Sequence, residues 1–247
     1  MEANIAVPAA LIGDPTRAAI LMALMDGRMQ PASALARAAG VTPQAASNHL
    51  TRLLDAGMLA VYAQGRHRYY RLASPAVAAA LESLATLAPV PPNLLQPLTV
   101  RGRTLRRARS CYDHLAGQLG VALVDAMVRC GLLLPPASGG GDFTMTDAGA
   151  LWFAELGLEI SPGATSRARP LVGRACLDWT ERRFHLAGSL GSAWFARMLE
   201  LGWLERDPAG RAVKITATGA AALHARLGID VRDLETTPST HEMAVEH

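Results

Sequence analysis

Two stretches of the chain each bring a thiol, a carboxylate and an imidazole close together in sequence. "SCYDHLAG" supplies Cys111, Asp113 and His114, and "RACLDWTERRFHLAG" supplies Cys176, Asp178 and His185. Thiolate, imidazole and carboxylate together make a ligand set for borderline or soft divalent ions such as Zn(II), Cd(II) or Pb(II). On a helix, Cys111 and His114 would be i,i+3 neighbours sharing one face. The second stretch has six more residues ("WTERRF") between cysteine and histidine, so the two sets are expected not to be geometrically equivalent. Three readings stand side by side: a site for a metal or thiol-reactive effector, part of an organic-ligand pocket, or a structural role. In the last, the cysteines pack as small hydrophobes and each histidine caps a helix or bonds a neighbouring acid. Cys130, beside Gly131 at a helix end, reads as packing. A Cys111 nucleophile with a His114 base would need an oxyanion hole that nothing nearby supplies, so no enzyme is expected.

The two sets precede a repeat. "HLAGQLGVALVDAMVRCGLLLPPASGGGDFTMTDAGALWFAELGL" and "HLAGSLGSAWFARMLELGWLERDPAGRAVKITATGAAALHARLGI" align His114 with His185, Gly120 with Gly191 and Gly131 with Gly202 at an offset of 71 residues. Thr146/Thr216 and Gly149/Gly219 follow at an offset of 70. Each copy reads helix, strand ("LLLPP", "WLERD"), turn, strand ("DFTMT", "AVKIT") and closing helix, as in the back half of a winged helix. Neither opening helix has a polar reading face. The glycines of "SGGGD" lie in the hairpin turn, outside any phosphate-loop frame.

The elements that position these sets belong to a chain of 247 residues, long enough for two or three small domains. Half its residues are hydrophobic, but no apolar run approaches the ~18 residues of a membrane span. The start lacks the pattern of a signal peptide, and three scattered cysteines do not make a disulfide framework. A cytoplasmic setting without a membrane partner is expected. The formal net charge of +3 permits a nucleic-acid partner. Arginine dominates the basic residues, with five between 101 and 109 and three between 167 and 174. These runs are either solvated faces or extra phosphate contacts, and in the second case Arg106, Arg107 and Arg109 would set part of the salt dependence of DNA binding.

The first ninety residues are the most legible. Asp14 and Pro15 start a helix whose Ile20, Leu21, Leu24 and Met25 share one face. "PASALARAAG" reads as a short helix ending in Gly40. Thr42 then caps a helix with Ala46, Leu50, Leu53 and Leu54 inward. Gln44, Ser47, Asn48, His49 and Arg52 remain for its outer surface. "MLAVYA" and "RYYRL" flank the loop "QGRH", a hairpin carrying Arg66, His67, Arg68 and Arg71. Two short helices, a polar second helix and a basic wing predict a DNA-binding winged helix-turn-helix.

Those residues resemble the ArsR/SmtB family of bacterial repressors. The family's recognition-helix pattern corresponds here to Thr42, Gln44, Ser47, His49, Leu50 and Leu53, followed by Ala56, Gly57, Met58 and Leu59. The resemblance covers about residues 10 to 88. It implies a homodimer formed through "PAALIGDP" and the 75–88 segment, two recognition helices on an imperfect palindrome, and repression relieved by an inducer. Long members of the family are often grouped with metal-responsive regulators. The family's usual metal positions are not filled: "SALARAAG" has no thiol, and the dimer helix offers only Glu82.

The expected fold is mainly α with small β hairpins. A winged helix-turn-helix and dimerisation domain spans 1–88, a proline-rich linker 89–97, a C-terminal domain with the repeat (114–158 and 185–229) 98–235, and a flexible tail 236–247. Partners expected are operator DNA, a second copy of the chain and an effector. The leading effector is a heavy metal (Zn, Cd or Pb) or thiol-reactive species. The alternatives are a small organic ligand held by Trp152, Phe153, Trp179, Trp194 and Trp203, or constitutive DNA binding with no effector.

Overall fold

The computed structural model describes residues 4–65, 67–89, 100–136, 141–158 and 172–235. The 90–97 part of the expected linker, the 236–247 tail, Gly139 and Gly140 of "SGGGD", Arg66, Arg167 and Arg169 lie outside the described residues. The chain divides into two compact units, one from Met1–Leu81 with Pro208–Arg211 and one from Glu82–Asp207 with Ala212–His247. Among the described residues no helix is long and apolar enough to cross a membrane.

In the first unit, α1 (Ala6–Ile12) and α2 (Pro15–Ala23) precede the short strand β1 (Gln30–Pro31) and α3 (Ala32–Ala38). The Asp14 carboxylate accepts the Arg17 amide at 2.9 Å and so starts α2. Gly40, at φ 65°, supplies the left-handed turn out of α3. The Thr42 hydroxyl then accepts the Ala45 amide at 3.2 Å to start α4 (Pro43–Asp55). Ile20, Leu21, Leu24 and Met25 of the α2 segment pack with Leu35, Leu50 and Leu53 in one core, as their spacing predicts. Strands β2 (Leu59–Gln64) and β3 (His67–Leu72) pair antiparallel from Leu59↔Leu72 to Gln64↔His67, and β1 adds to the outer edge of β3. α5 (Pro75–Leu87) starts beneath the Ser74 hydroxyl, which accepts from the Val77 amide.

The second unit takes in the end of α5 from Glu82, adds α6 (Val100–Arg107) and then runs one pattern twice. The first copy is β4 (Arg109–Cys111), β5 (His114–Ala116), α7 (Gly117–Arg129), β6 (Leu133–Leu134), β7 (Asp142–Met145) and α8 (Asp147–Glu155). The second is β8 (Gly173–Leu177), β9 (Phe184–Ala187), α9 (Gly188–Glu200), β10 (Leu204–Arg206), β11 (Val213–Ile215) and α10 (Ala217–Leu227). Thr146 and Thr216 cap α8 and α10 alike, each accepting from the glycine amide three residues on.

The copies exchange edges. β8 of the second copy pairs with β7 of the first (Asp142↔Arg174, Phe143↔Gly173), giving the sheet order β6-β7-β8-β9. Arg109 of β4 in turn bridges Ala212, beside β11 of the second copy. The duplicated unit therefore starts earlier than His-Leu-Ala-Gly, with a hairpin whose first strand carries the cysteine.

Leu119, Leu123 and Met127 of α7 share a core with Leu190, Trp194, Phe195 and Met198 of α9. Trp194 stands edge-on to Trp152, Phe153 and Trp203, with centroids 5.3, 5.6 and 5.7 Å away. These rings fill the core against one another, and the void between α7 and α9 is only ≈ 10 Å³, too small for an organic ligand. Trp179 is apart from them, facing the Arg109 guanidinium at 5.1 Å.

Candidate metal centre

Cys111 and His114 stand on no helix. They are cross-strand partners closing the β4–β5 hairpin, with Tyr112 and Asp113 as the turn and Tyr112 at φ 56°. Cys176 and His185 are cross-strand partners in the β8–β9 hairpin as well. The six additional residues of the second stretch lie wholly beyond that pair, in one further pairing (Leu177↔Phe184) and the turn 178–183. The expectation that the two sets are inequivalent is corrected at the ligand positions: strand register, not turn length, decides which side chains sit opposite.

The cysteine and histidine of both hairpins converge. The donor atoms of Cys111, His114, Cys176 and His185 all lie within 4.8 Å of one another. The Nε2 atoms of the two histidines are 3.1 Å apart, and their rings stack with centroids at 5.1 Å. Tetrahedral bonding at ~2.0–2.1 Å to nitrogen and ~2.3 Å to sulfur would put donor atoms about 3.3–3.8 Å apart. Two thiols and two imidazoles, all from the protein, are a donor set that could hold one four-coordinate ion.

Asp113 and Asp178 are not in that set but behind it. The Nδ1 of His114 lies 3.0 Å from the Asp113 carboxylate, and the Nδ1 of His185 lies 3.7 Å from that of Asp178. With its Nδ1–H on Asp113, His114 keeps its Nε2 lone pair for the cluster, the tautomer a metal ligand needs, whereas the His185 Nδ1 is near Asp178 but makes no hydrogen bond. The histidines cap no helix: α7 and α9 begin at Gly117 and Gly188, three residues later, without side-chain caps.

Asp178 is fully enclosed. Its Oδ2 accepts from Arg109 Nη2 at 2.9 Å and the Gly117 amide at 2.7 Å, and its Oδ1 from the Thr180 amide and hydroxyl at 2.8 and 2.6 Å. Burial alone would raise its pKa, but the Arg109 and His185 charges and these hydrogen bonds hold it well below the usual carboxylate range. Arg109 itself is 1% exposed, with Nε 3.7 Å from Glu82. The Cys111 thiol donates to Glu82 at 2.9 Å. Its contact with Cys176, and then its burial, push Cys111 up to about 12, while the same contact lowers Cys176 against the opposing effect of burial. Burial works against His114 protonation, yet Cys111 and Asp113 leave its pKa raised.

Two glycines shape the floor. A Cβ on Gly120 of α7 would stand 2.7 Å from the Leu115 carbonyl oxygen and 3.4 Å from His185 Cβ. One on Gly191 of α9 would collide with the Leu186 carbonyl and stand 3.4 Å from His114 Cβ. Each helix thus closes on the histidine of the other copy only because it lacks a side chain there.

Two further expectations are corrected. Arg106 forms a two-pronged ion pair with Glu181 at 2.7 and 3.2 Å, Arg107 donates to the Val231 carbonyl, and Arg109 is the buried partner of Asp178. All three are engaged within the unit, Arg109 fully buried and Arg106 and Arg107 half-buried. Cys130 is exposed at the end of α7 and does not pack. Arg109 and the glycine pair were missed as site residues. The arginine sits in a run that reads as surface charge, and the glycines show only as a shared repeat position.

In the first unit, Gln44, Ser47, Asn48 and Arg52 line the exposed face of α4. His49 is half-buried, its Nδ1 3.6 Å from Asp14, and so points partly inward. His67 and Arg68 are exposed at the start of β3, and Arg71 lies on Tyr62, donating to its hydroxyl at 2.6 Å.

A helix-turn-helix domain family matches residues 12–62. The chain is 42% identical over 231 residues to the HTH-type transcriptional regulator YdfF of Bacillus subtilis, covering 94% of this chain and 100% of that protein. It is 41% identical over 73 residues to the HTH-type transcriptional regulator CmtR of Mycobacterium tuberculosis, 30% of this chain and 61% of CmtR. The NMR structure of the cadmium metal-sensor CMTR from that organism aligns with 39% of this chain and 98% of its own, at 35% identity and a TM-score of 0.30.

Proposed function

Because the chain belongs to the ArsR/SmtB family of winged helix-turn-helix transcriptional regulators, we propose that it is a homodimeric repressor released from its operator by a thiophilic divalent metal. Cys111, His114, Cys176 and His185 would hold the ion, of the Zn(II), Cd(II) or Pb(II) class. The observation that carries this is the meeting of four donor atoms from two hairpins, with an acid behind each imidazole.

The reading head would be α4, with Gln44, Ser47 and Asn48 at base edges, and Arg52 with the wing residues His67, Arg68 and Arg71 on phosphates. The second unit would be a pair of winged-helix-derived copies turned from DNA reading to effector binding, since α7 and α9 are apolar where α4 is polar.

Titration with Cd(II) should give a thiolate-to-metal charge-transfer band saturating at one ion per chain, with weaker binding to the DNA upstream of the protein's own gene. A chain without such a band, or one whose band survives Cys111→Ser with Cys176→Ser, rules the site out. A band with unchanged operator affinity rules out the regulatory coupling. On the DNA side, Asn48→Ala should cost ~1–3 kcal/mol at one base position, whereas equal loss on every sequence would make Asn48 a phosphate contact.

A further inference from the structure

The sulfurs of Cys111 and Cys176 lie within 4.8 Å of each other across the hairpins. They are not equally reachable. Cys111 is buried and donates to Glu82, whereas Cys176 is only partly buried. Cys130, the remaining thiol, is exposed at the end of α7.

The geometry points to a second use of this pair: Cys111 and Cys176 form a reversible intrachain disulfide when a hydroperoxide reaches Cys176. The Cys176 sulfur attacks the O–O bond, which breaks to give the Cys176 sulfenic acid and one water or alcohol. The Cys111 sulfur then attacks the Cys176 sulfur. The S–S bond forms, the S–O bond breaks, and the oxygen leaves as water with the Cys111 proton. Two thiols lose two electrons and two protons, and the hydroperoxide is reduced by the same two electrons. Since a metal binds thiolates, the reaction removes half of the donor set at once and leaves two imidazoles, too few to keep the ion. Peroxide would thus act on the same centre as the metal. The release step rests on the metal reading. The disulfide rests only on the thiol pair.

The test treats the full-length chain carrying Cys130→Ser with hydrogen peroxide, once metal-free and once loaded with Zn(II). Intact mass, mapping of linked peptides and a chromophoric zinc chelator are the readouts. Expected are a Cys111–Cys176 link reversed by dithiothreitol and one zinc released per link formed. Sulfinic acid on Cys176 without a link, or two thiols still free after Cys130→Ser protein is oxidised, overturns the inference. If the link forms in a chain that never takes up zinc, the metal reading fails and the thiol switch stands. Should zinc bind while peroxide yields no link, the switch fails and the metal reading stands.

Discussion

In the first hairpin the turn between Cys111 and His114 is two residues long, and the acid it carries, Asp113, is 51% exposed at its side chain. In the second, the turn 178–183 is longer, and its acid, Asp178, is 0% exposed and held by Arg109, Gly117 and Thr180. The ligand face is the same in both, because Cys111↔His114 and Cys176↔His185 are the same kind of cross-strand pair. What differs is the support. The longer turn also takes the Arg106 ion pair through Glu181, and its Arg182 reaches the carbonyls of Thr86 and Ala88. The acid of the second turn is anchored into the unit, whereas that of the first is half in solvent.

The largest effect should come from breaking that anchor. Asp178→Ala leaves the Arg109 charge buried, with Glu82 3.7 Å away as its remaining acidic neighbour. Truncating one partner of a buried pair costs ~3–5 kcal/mol. Asp113→Ala, half in solvent, should cost less than about 1 kcal/mol. Urea unfolding of the two variants, followed by tryptophan fluorescence, gives the comparison directly. Equal losses would mean that the two turns support the unit alike.

The ligand face should respond evenly. Gly120→Ala and Gly191→Ala each force a methyl against a carbonyl and toward the histidine of the other copy. Overpacking of this kind costs ~1–3 kcal/mol. Both variants should also weaken Cd(II) binding, by similar factors, in a competition titration against a chromophoric chelator. If one is silent and the other disabling, the likeness of the two hairpins stops at the backbone.

How much of this was legible beforehand follows the type of signal. The helix-turn-helix was readable because capping residues, apolar spacing and a polar outer face agree over one short stretch: Asp14, Thr42 and Leu50 all do what their local sequence implies. The repeat was readable through His114/His185 and the threonine caps. The hairpins were not, because "RSC" and "HLA" are three-residue strands with no alternation to read. Register, a tertiary property, then decided the site: nothing local says that Cys176 faces His185 across nine positions. The same limit applies to Arg109, whose partner lies 69 residues away.

A smaller effect separates holding a ligand from holding the fold. Asp113→Asn keeps the size of the side chain but weakens its grip on His114 Nδ1. The affinity for Cd(II) should fall about tenfold, the low end for loss of an outer carboxylate, with stability nearly unchanged. A drop in stability matching the drop in affinity would show that Asp113 supports the hairpin and not the imidazole.

The smallest expected effect concerns the arginines around the second turn. Arg106 is spent on Glu181, so Arg106→Ala should leave the slope of log affinity against log salt for operator DNA where it was. Arg52→Ala, on the exposed face of α4, should reduce that slope by about one, the loss of one phosphate contact. Binding measured by fluorescence anisotropy from low to moderate salt distinguishes the two. A flattened slope for Arg106→Ala would mean that the ion pair with Glu181 opens on DNA, and that the second turn releases the α6 arginine when the operator is bound.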